Sequence, residues 1–348
     1  SAAAITVNNT DGTCTANITS INSGSIGTRN LIINGAMQVA QRATSSTSTN
    51  YQTVDRFALF TQSVDEAPTQ AQVDVASGTT PYTSGFRKSF KITNGNQTSG
   101  AGATDFILTR YKVEDQDLAT SGWNYLSSSS NITLSFWVKS SVAQNFYFDL
   151  QSDNGSVYNY VMETGSLTAD TWTKITKTIP GNTNIVLNND NGAGLFITWR
   201  MFDGTDRTGT RPLNAWAARD AASQTPDATS TWYTTNDATF EMTGVQLEVG
   251  SVATDFEFRS FGQELALAQR YFEVGGTYHS SDTASGAIGR TNIQFANAKR
   301  ADPTVTITIS AGQTGAMEFT GTSGFCYRSS GSSVGDSTTF TFTADSEL

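Results

Sequence analysis

Along most of the chain apolar and polar residues alternate with a period of two, the signature of strands that bury one face. The segments NLIING, RFALFT, FRKSFKIT, NITLSFWVKS, NFYFDLQ, WTKITKTI, GLFITWRMF and ATFEMTGVQLEV recur between residues 30 and 258, separated by turns rich in Asn, Asp and Gly. In ITLSFWVKS, Ile132, Leu134, Phe136 and Val138 share one face, which leaves Thr133, Ser135, Trp137 and Lys139 on the other. Many short strands at close spacing predict an antiparallel sandwich, and the length favours a jelly roll over a seven-stranded immunoglobulin fold. In the last strand the apolar parity changes, even at Phe240 and Met242 and odd at Val245, Leu247 and Val249. That change predicts a β-bulge at Gly244.

The period then switches. Ser260 and Gln263 have the spacing of a capping box, and Phe261, Leu265, Ala268 and Phe272 recur at helical 4-3-4 intervals before Gly275 and Gly276 end the run. The same 4-3-4 spacing is that of a coiled-coil stripe, with Leu267 and Tyr271 beside it. Strand signals resume in TVTITIS, AMEFTG and TTFTFTAD. At the other end, ITVNNTDGTCTANITSI reads as a hairpin turning at Asp11-Gly12. The expected organisation is an N-terminal hairpin segment over 1–29, a jelly roll over 30–258, a linking helix over 259–274 and a smaller β-sandwich over 275–348. The fold class is all-β.

Composition narrows the function. A net charge of −10 with 21 Lys and Arg against 31 Asp and Glu argues against nucleic acid, which is bound by neutralising phosphates. No run approaches the roughly 20 apolar residues of a membrane span, so a soluble chain without membrane insertion is expected. The start SAAAITVNNTDG lacks the basic and apolar regions of a signal peptide. Cys14 and Cys326 have no framework spacing, which favours reduced thiols.

Catalytic chemistry finds little footing. The single histidine, His279, has no serine elbow or metal-ligand spacing around it. Acid pairs such as Asp65/Glu66, Glu114/Asp115/Asp117 and Asp203/Asp206 could in principle flank a glycosidic bond, but a chain with 31 acids yields such pairs by chance. DGTDRTGTRP lacks the Gly and Glu of a calcium loop, so no metal site and no cofactor is expected. Aromatic rings in polar loops suit sugars, whose C–H faces stack on π-surfaces. Trp216, Trp232 and Tyr233 are candidates on that ground, as are Trp123 and Tyr125; the alternative is that these rings cap the core. Beyond Gly276, Tyr278, His279, Arg290, Tyr327 and Arg328 stand among Ser and Gly, a mixture suited to sugar hydroxyls.

The stretches RNLIINGAMQVAQR, TVDRF and GVQLEVGSVATDFEFRSFGQELALAQRYFE, with NAKRADPTVTI and TFTADSEL near the end, resemble a pattern shared by tail-fibre and appendage proteins of bacteriophages, marine short-tailed phages in flavour. The resemblance implies a virion fibre protein, assembled in the host cytoplasm and acting outside the cell. It implies a homotrimer whose jelly roll is similar to carbohydrate-binding modules, with other virion proteins and a host cell-surface glycan as partners. In that setting Phe261, Leu265, Ala268 and Phe272 would meet at a threefold axis. A free-standing carbohydrate-binding module and a glycan depolymerase are the alternatives. Related modules hold a structural calcium with a Glu and an Asp; Gln38 and Thr243 stand near those positions here, and both are neutral.

Overall fold

A computed structural model describes residues 29–281, 289–312, 315–329 and 337–348. The N-terminal hairpin expected at Asp11-Gly12 lies outside the described residues. Twelve strands follow in chain order: β1 (Ser45–Ser46), β2 (Phe57–Gln62), β3 (Thr69–Asp74), β4 (Lys88–Thr93), β5 (Phe106–Glu114), β6 (Asn131–Ser140), β7 (Asn145–Ser152), β8 (Tyr158–Ser166), β9 (Thr173–Pro180), β10 (Ala193–Asp203), β11 (Trp216–Ala218) and β12 (Thr239–Val249). They form two six-stranded antiparallel sheets, β1-β3-β4-β12-β6-β9 and β11-β8-β7-β10-β5-β2, packed face to face as a jelly-roll sandwich.

One continuous apolar core lies between the sheets because inward positions alternate as the sequence pattern requires. Ile132, Leu134, Phe136 and Val138 of β6 are fully buried against Phe146, Phe148 and Leu150 of β7 and Leu195, Ile197 and Trp199 of β10. Trp199 sits at the centre, with ring centroids 5.7 Å from Phe136 and 6.2 Å from Phe57. Thr133, expected on a solvent face, is buried, and its hydroxyl donates to the Gly250 carbonyl at 2.8 Å.

The parity change in β12 is a bulge. Its register against β6 shifts between Thr243 and Gln246, and Gly244 has φ +64°. NLIING is not a strand; residues 33–36 form a turn that runs beside the bulge. Asn30 explains why: its amide donates to the Val245 carbonyl, and its side-chain oxygen accepts from Ile32 and Leu247. Asn and Gly supply the local bonds and the close approach that a paired strand would exclude.

The helix spans Phe261–Gln269 and carries both bonds of the capping box between Ser260 and Gln263. It packs on its own chain. Ala268 and Tyr271 are buried against Ile33 and Val39, with Leu265 partly buried beside them. Glu264, also buried, accepts the Asn34 N–H at 2.6 Å. Phe272 lies beyond the helix and is buried, while Phe261 is exposed. The four residues expected as a trimer stripe therefore do not share one exposed face, since the chain's own 30–42 segment occupies the apolar side.

Seven strands complete the chain: β13 (Phe272–Val274), β14 (Tyr278–Ser281), β15 (Arg290–Gln294), β16 (Thr304–Gly312), β17 (Gly315–Gly321), β18 (Gly324–Ser329) and β19 (Ser337–Asp345). Strand β19 pairs with β13, β14 and β16, and β15-β18-β17 form a second sheet. Phe295, Phe325, Tyr327, Phe340 and Phe342 fill the small core with Ile293 and Val305. The final residues lock this unit to the sandwich: Glu347 pairs with Arg56 and Arg42, and Arg42 also meets Asp345 at 3.0 Å.

Candidate ligand-binding face

The aromatic residues that the sequence offers as sugar contacts are mostly structural. Trp232 and Tyr233 lie on a single helical turn that inserts into the sandwich and are fully buried. The Trp232 indole donates to the Thr239 carbonyl at 3.0 Å; Tyr233 stacks on Phe202 at 4.3 Å and donates its hydroxyl to Asp105 at 2.9 Å. Trp123 is buried as well. Trp216 is half-buried at the sheet edge, its indole donating to the Pro180 carbonyl at 2.7 Å and its ring meeting Tyr160 edge-on. All four rings complete the core.

The C-terminal candidates do not converge. Tyr327 is buried in the small core and Tyr278 stacks on Phe340. His279 is exposed, with Nδ1 2.9 Å from the Thr339 hydroxyl. Arg290 and Arg328 lie on the other sheet, directly opposite each other in register, and Arg290 is held by a bidentate pair with Glu318 at 2.6 and 2.8 Å.

A different surface gathers binding chemistry: the outer face of the second sheet. The register of β8, β7, β10, β5 and β2 sets outward residues in rows. One row is Asn159, Gln151, Phe196 and Lys112; the next is Val161, Asp149, Thr198, Arg110 and Ala58; the third is Glu163, Tyr147, Arg200, Leu108 and Phe60. The floor of the face is polar and well buried at Asp149, Thr198 and Gln151, whereas Phe60, Arg110, Lys112 and Tyr147 remain partly accessible.

The Arg110 guanidinium lies between two rings, 5.4 Å from the Phe60 centroid and 5.1 Å from that of Phe196, and its Nε donates to the Thr198 hydroxyl at 3.2 Å. Arg200 is pinned by Asp149 at 2.8 Å and Asp203 at 2.8 Å. Burial works against its charge, but Asp203 and Asp149 outweigh it and hold the guanidinium above its ordinary value. Only one oxygen of Asp149 is used in this way. Its Oδ2 is buried and has no hydrogen-bond partner among the described residues. At the margin, Arg211 donates to the side chain of Asn159 and to the carbonyls of Ala217 and Ala218, which ties the segment after β10 to this face.

The acid pairs weighed as catalytic are engaged in structure. Asp203 neutralises Arg200 and Arg207, Glu114 receives Arg270 and Tyr271, and Asp65 accepts from Ser99. Thr243 donates its hydroxyl to the Lys88 carbonyl. Among the described residues no three His, Cys, Asp or Glu side chains gather as a metal site.

A pocket of about 540 Å³ lies between the helix residues Gln263, Ala266 and Leu267 and residues Asn297 and Ala298. Its cations, Arg259 and Arg270, are already paired with Glu257, Glu264 and Glu114.

No family model matches the chain, and no curated protein matches it. Among solved structures it is similar to a protein described as sugar-binding from Bacteroides thetaiotaomicron, at 12% identity and a TM-score of 0.32, over 63% of this chain and 99% of that one. It is also similar to the family 11 carbohydrate-binding module of a cellulosomal cellulase of Clostridium thermocellum (12% identity, TM-score 0.28, 60% and 96% covered). A third is the N-terminal cellulose-binding domain of a β-1,4-glucanase from Cellulomonas fimi (7% identity, TM-score 0.28, 62% and 99% covered). These likenesses are slight, and the class is defined by the sheets themselves: a jelly-roll sandwich with a short capped helix and a smaller β-unit.

Proposed function

We propose that the chain is a non-catalytic glycan-binding protein of a bacteriophage fibre, and that it engages the host cell-surface polysaccharide through the outer face of the second sheet. The observation that carries glycan recognition is the pairing of the partly accessible rings of Phe60 and Tyr147 with the partly accessible Arg110 and Lys112 on that face. Phe60 and Tyr147 offer surfaces for sugar C–H faces, and the partly accessible Arg110 offers donors for a sugar oxygen. A site of this kind binds by orientation and stacking and needs no nucleophile.

The fibre reading is supported by the sequence stretches that resemble phage appendage proteins, which meet at one joint. Asn34 bonds Glu264, Gln41 bonds Asp55, and Arg56 stacks over Tyr271 at 3.5 Å. Placement in a virion, with other virion proteins as neighbours, follows from the same resemblance. A homotrimer is proposed with it, using the exposed apolar side chains Val252, Phe258 and Phe261 rather than the buried side of the helix.

The test is retention of the protein on immobilised host surface polysaccharide. Wild type is expected to bind, Phe60→Ala and Tyr147→Ala to lose binding, and no reducing ends to be released. Binding unchanged in both variants would remove the site, and release of reducing ends would favour the depolymerase. Light scattering should give three times the chain mass of 37.2 kDa; a monomer at micromolar concentration would contradict the trimer.

A further inference from the structure

The chain is acidic overall, yet the proposed glycan face is locally basic. Arg110 and Lys112 project from β5 in adjacent rows, Arg211 is bound to Asn159 at the margin, and Arg219 follows β11 with its backbone N–H on the Val157 carbonyl. Arg110, Arg211 and Arg219 form no ion pair with a side-chain carboxylate among the described residues, and Lys112 Nζ is engaged by the main-chain oxygen of Leu348, whereas Arg200 and Arg207 on the same side are paired with acids. Arg211 Nε is buried and without a hydrogen-bond partner among the described residues.

The charges sense one another. Burial first, and then the Arg200 charge, hold the Arg110 guanidinium below its ordinary value; Arg219 adds to this and Asp149 opposes it. Burial likewise lowers Lys112, with Arg110 the next cause and Asp153 opposing. Crowding like charges on a partly desolvated surface costs stability unless something negative is bound there. The acids on this side are few or already engaged: Asp149, in the Arg110 row, and Asp203 are paired with Arg200, Asp203 also with Arg207, Glu163 is bonded by Asn145 at 2.9 Å, and Asp153 and Asp220 form no ion pair with these cations.

Resting on the glycan-binding reading above, we propose that this face selects anionic glycans, with Arg110 recognising a carboxylate or sulfate on a sugar whose ring lies against Phe60, and with the exposed Arg219 adding positive field from the β11 edge of the sheet. Guanidinium groups suit either anion because their fixed donor fork matches planar or tetrahedral oxygens. The adjacent rings fix the position of the Arg110 guanidinium beside the partly accessible Phe60. Lys112 and Arg211 add field rather than direct contacts, since Lys112 Nζ donates to the Leu348 carbonyl and the terminal nitrogens of Arg211 are engaged.

The experiment uses the full chain and four probes: polygalacturonate, the same polymer after carboxyl reduction, a sulfated galactan and its desulfated form. Affinity electrophoresis is run with wild type, Arg110→Gln, Arg219→Gln and Phe60→Ala. The proposal expects at least one charged polymer to bind about tenfold more tightly than its neutral counterpart, with the gap narrowing at high salt. Preference for the uronate identifies carboxylate, and preference for the galactan identifies sulfate. Arg219→Gln, an exposed change, should narrow the gap without altering the melting temperature, and Arg110→Gln should do the same more strongly. Equal binding of charged and neutral polymers, abolished by Phe60→Ala, would keep the glycan site and overturn the anionic preference. A charge preference that survives both arginine variants would also overturn it. Failure of all four polymers to bind would overturn it together with the site.

Discussion

The guanidinium of Arg110 lies 5.1 Å from the centroid of the Phe196 ring, and the two residues come from neighbouring strands of the second sheet. The ring, itself buried, holds the cation in place on the face. Phe196→Leu keeps the apolar volume but removes the π-face. Releasing Arg110 should weaken polysaccharide binding by about fivefold, in line with roughly 1 kcal/mol for such a contact, and because the ring is buried calorimetry should find a small loss of melting temperature as well.

Gly244 carries a backbone constraint. Its φ of +64° is costly for any residue with a Cβ, and a Cβ there would stand 2.6 Å from Phe86 Cζ. Gly244→Val should cost more than the ~1–3 kcal/mol of left-handed strain alone. Urea denaturation measures this; wild-type stability would show that the bulge relaxes freely.

Asp55 gives a pH signature. Burial pushes its carboxyl up to about 6, against the lowering effect of the bonds from Gln41. An acid whose folded pKa exceeds its unfolded value near 3.8 destabilises the fold when ionised. Its penalty is therefore fully present above pH 6 and disappears as pH falls toward 4. The stability of Asp55→Asn relative to wild type should be more favourable at pH 7.5 than at pH 4.5, as read from paired melts. A difference independent of pH would contradict this.

Glu347 neutralises Arg56, whose side chain is 1% exposed. Burial works against the Arg56 charge, and Glu347 is the largest of the groups that hold it well above its ordinary value. Glu347→Gln leaves a buried cation short of its counter-charge, which should cost about 3 kcal/mol or more. Because Arg56 belongs to the sandwich and Glu347 follows β19, hydrogen exchange should rise first in β13 and β19, which pair beside this joint.

Much of the framework was legible in the sequence. The alternation in β6, the parity break at Gly244 and the Ser260/Gln263 cap all correspond to what the chain does, because each depends on neighbours along the chain. Strand β5 was harder to see, since its inward side includes Thr109 and Tyr111 and its outward side Arg110 and Lys112, which blurs the apolar period. The candidate face was not legible, because it depends on the register among five strands. A signal existed in retrospect: charged and amide side chains alternate with core residues at Arg110/Lys112, at Asp149/Gln151 and at Arg200. Trp232 and Tyr233 misled for the converse reason. Their polar neighbours in STWYTTND suggested a loop, but the turn is folded inward and its hydroxyl residues bond locally.

Glycan binding on the outer face of the second sheet, rather than at the C-terminal unit, separates two sets of side chains. The most direct measurement is the affinity of wild type, Phe60→Ala and Arg328→Ala for host surface polysaccharide under one set of conditions. Loss of binding in Phe60→Ala with Arg328→Ala unchanged is the predicted result; loss in Arg328→Ala with Phe60→Ala unchanged would contradict the account and move the site to the terminal β-unit.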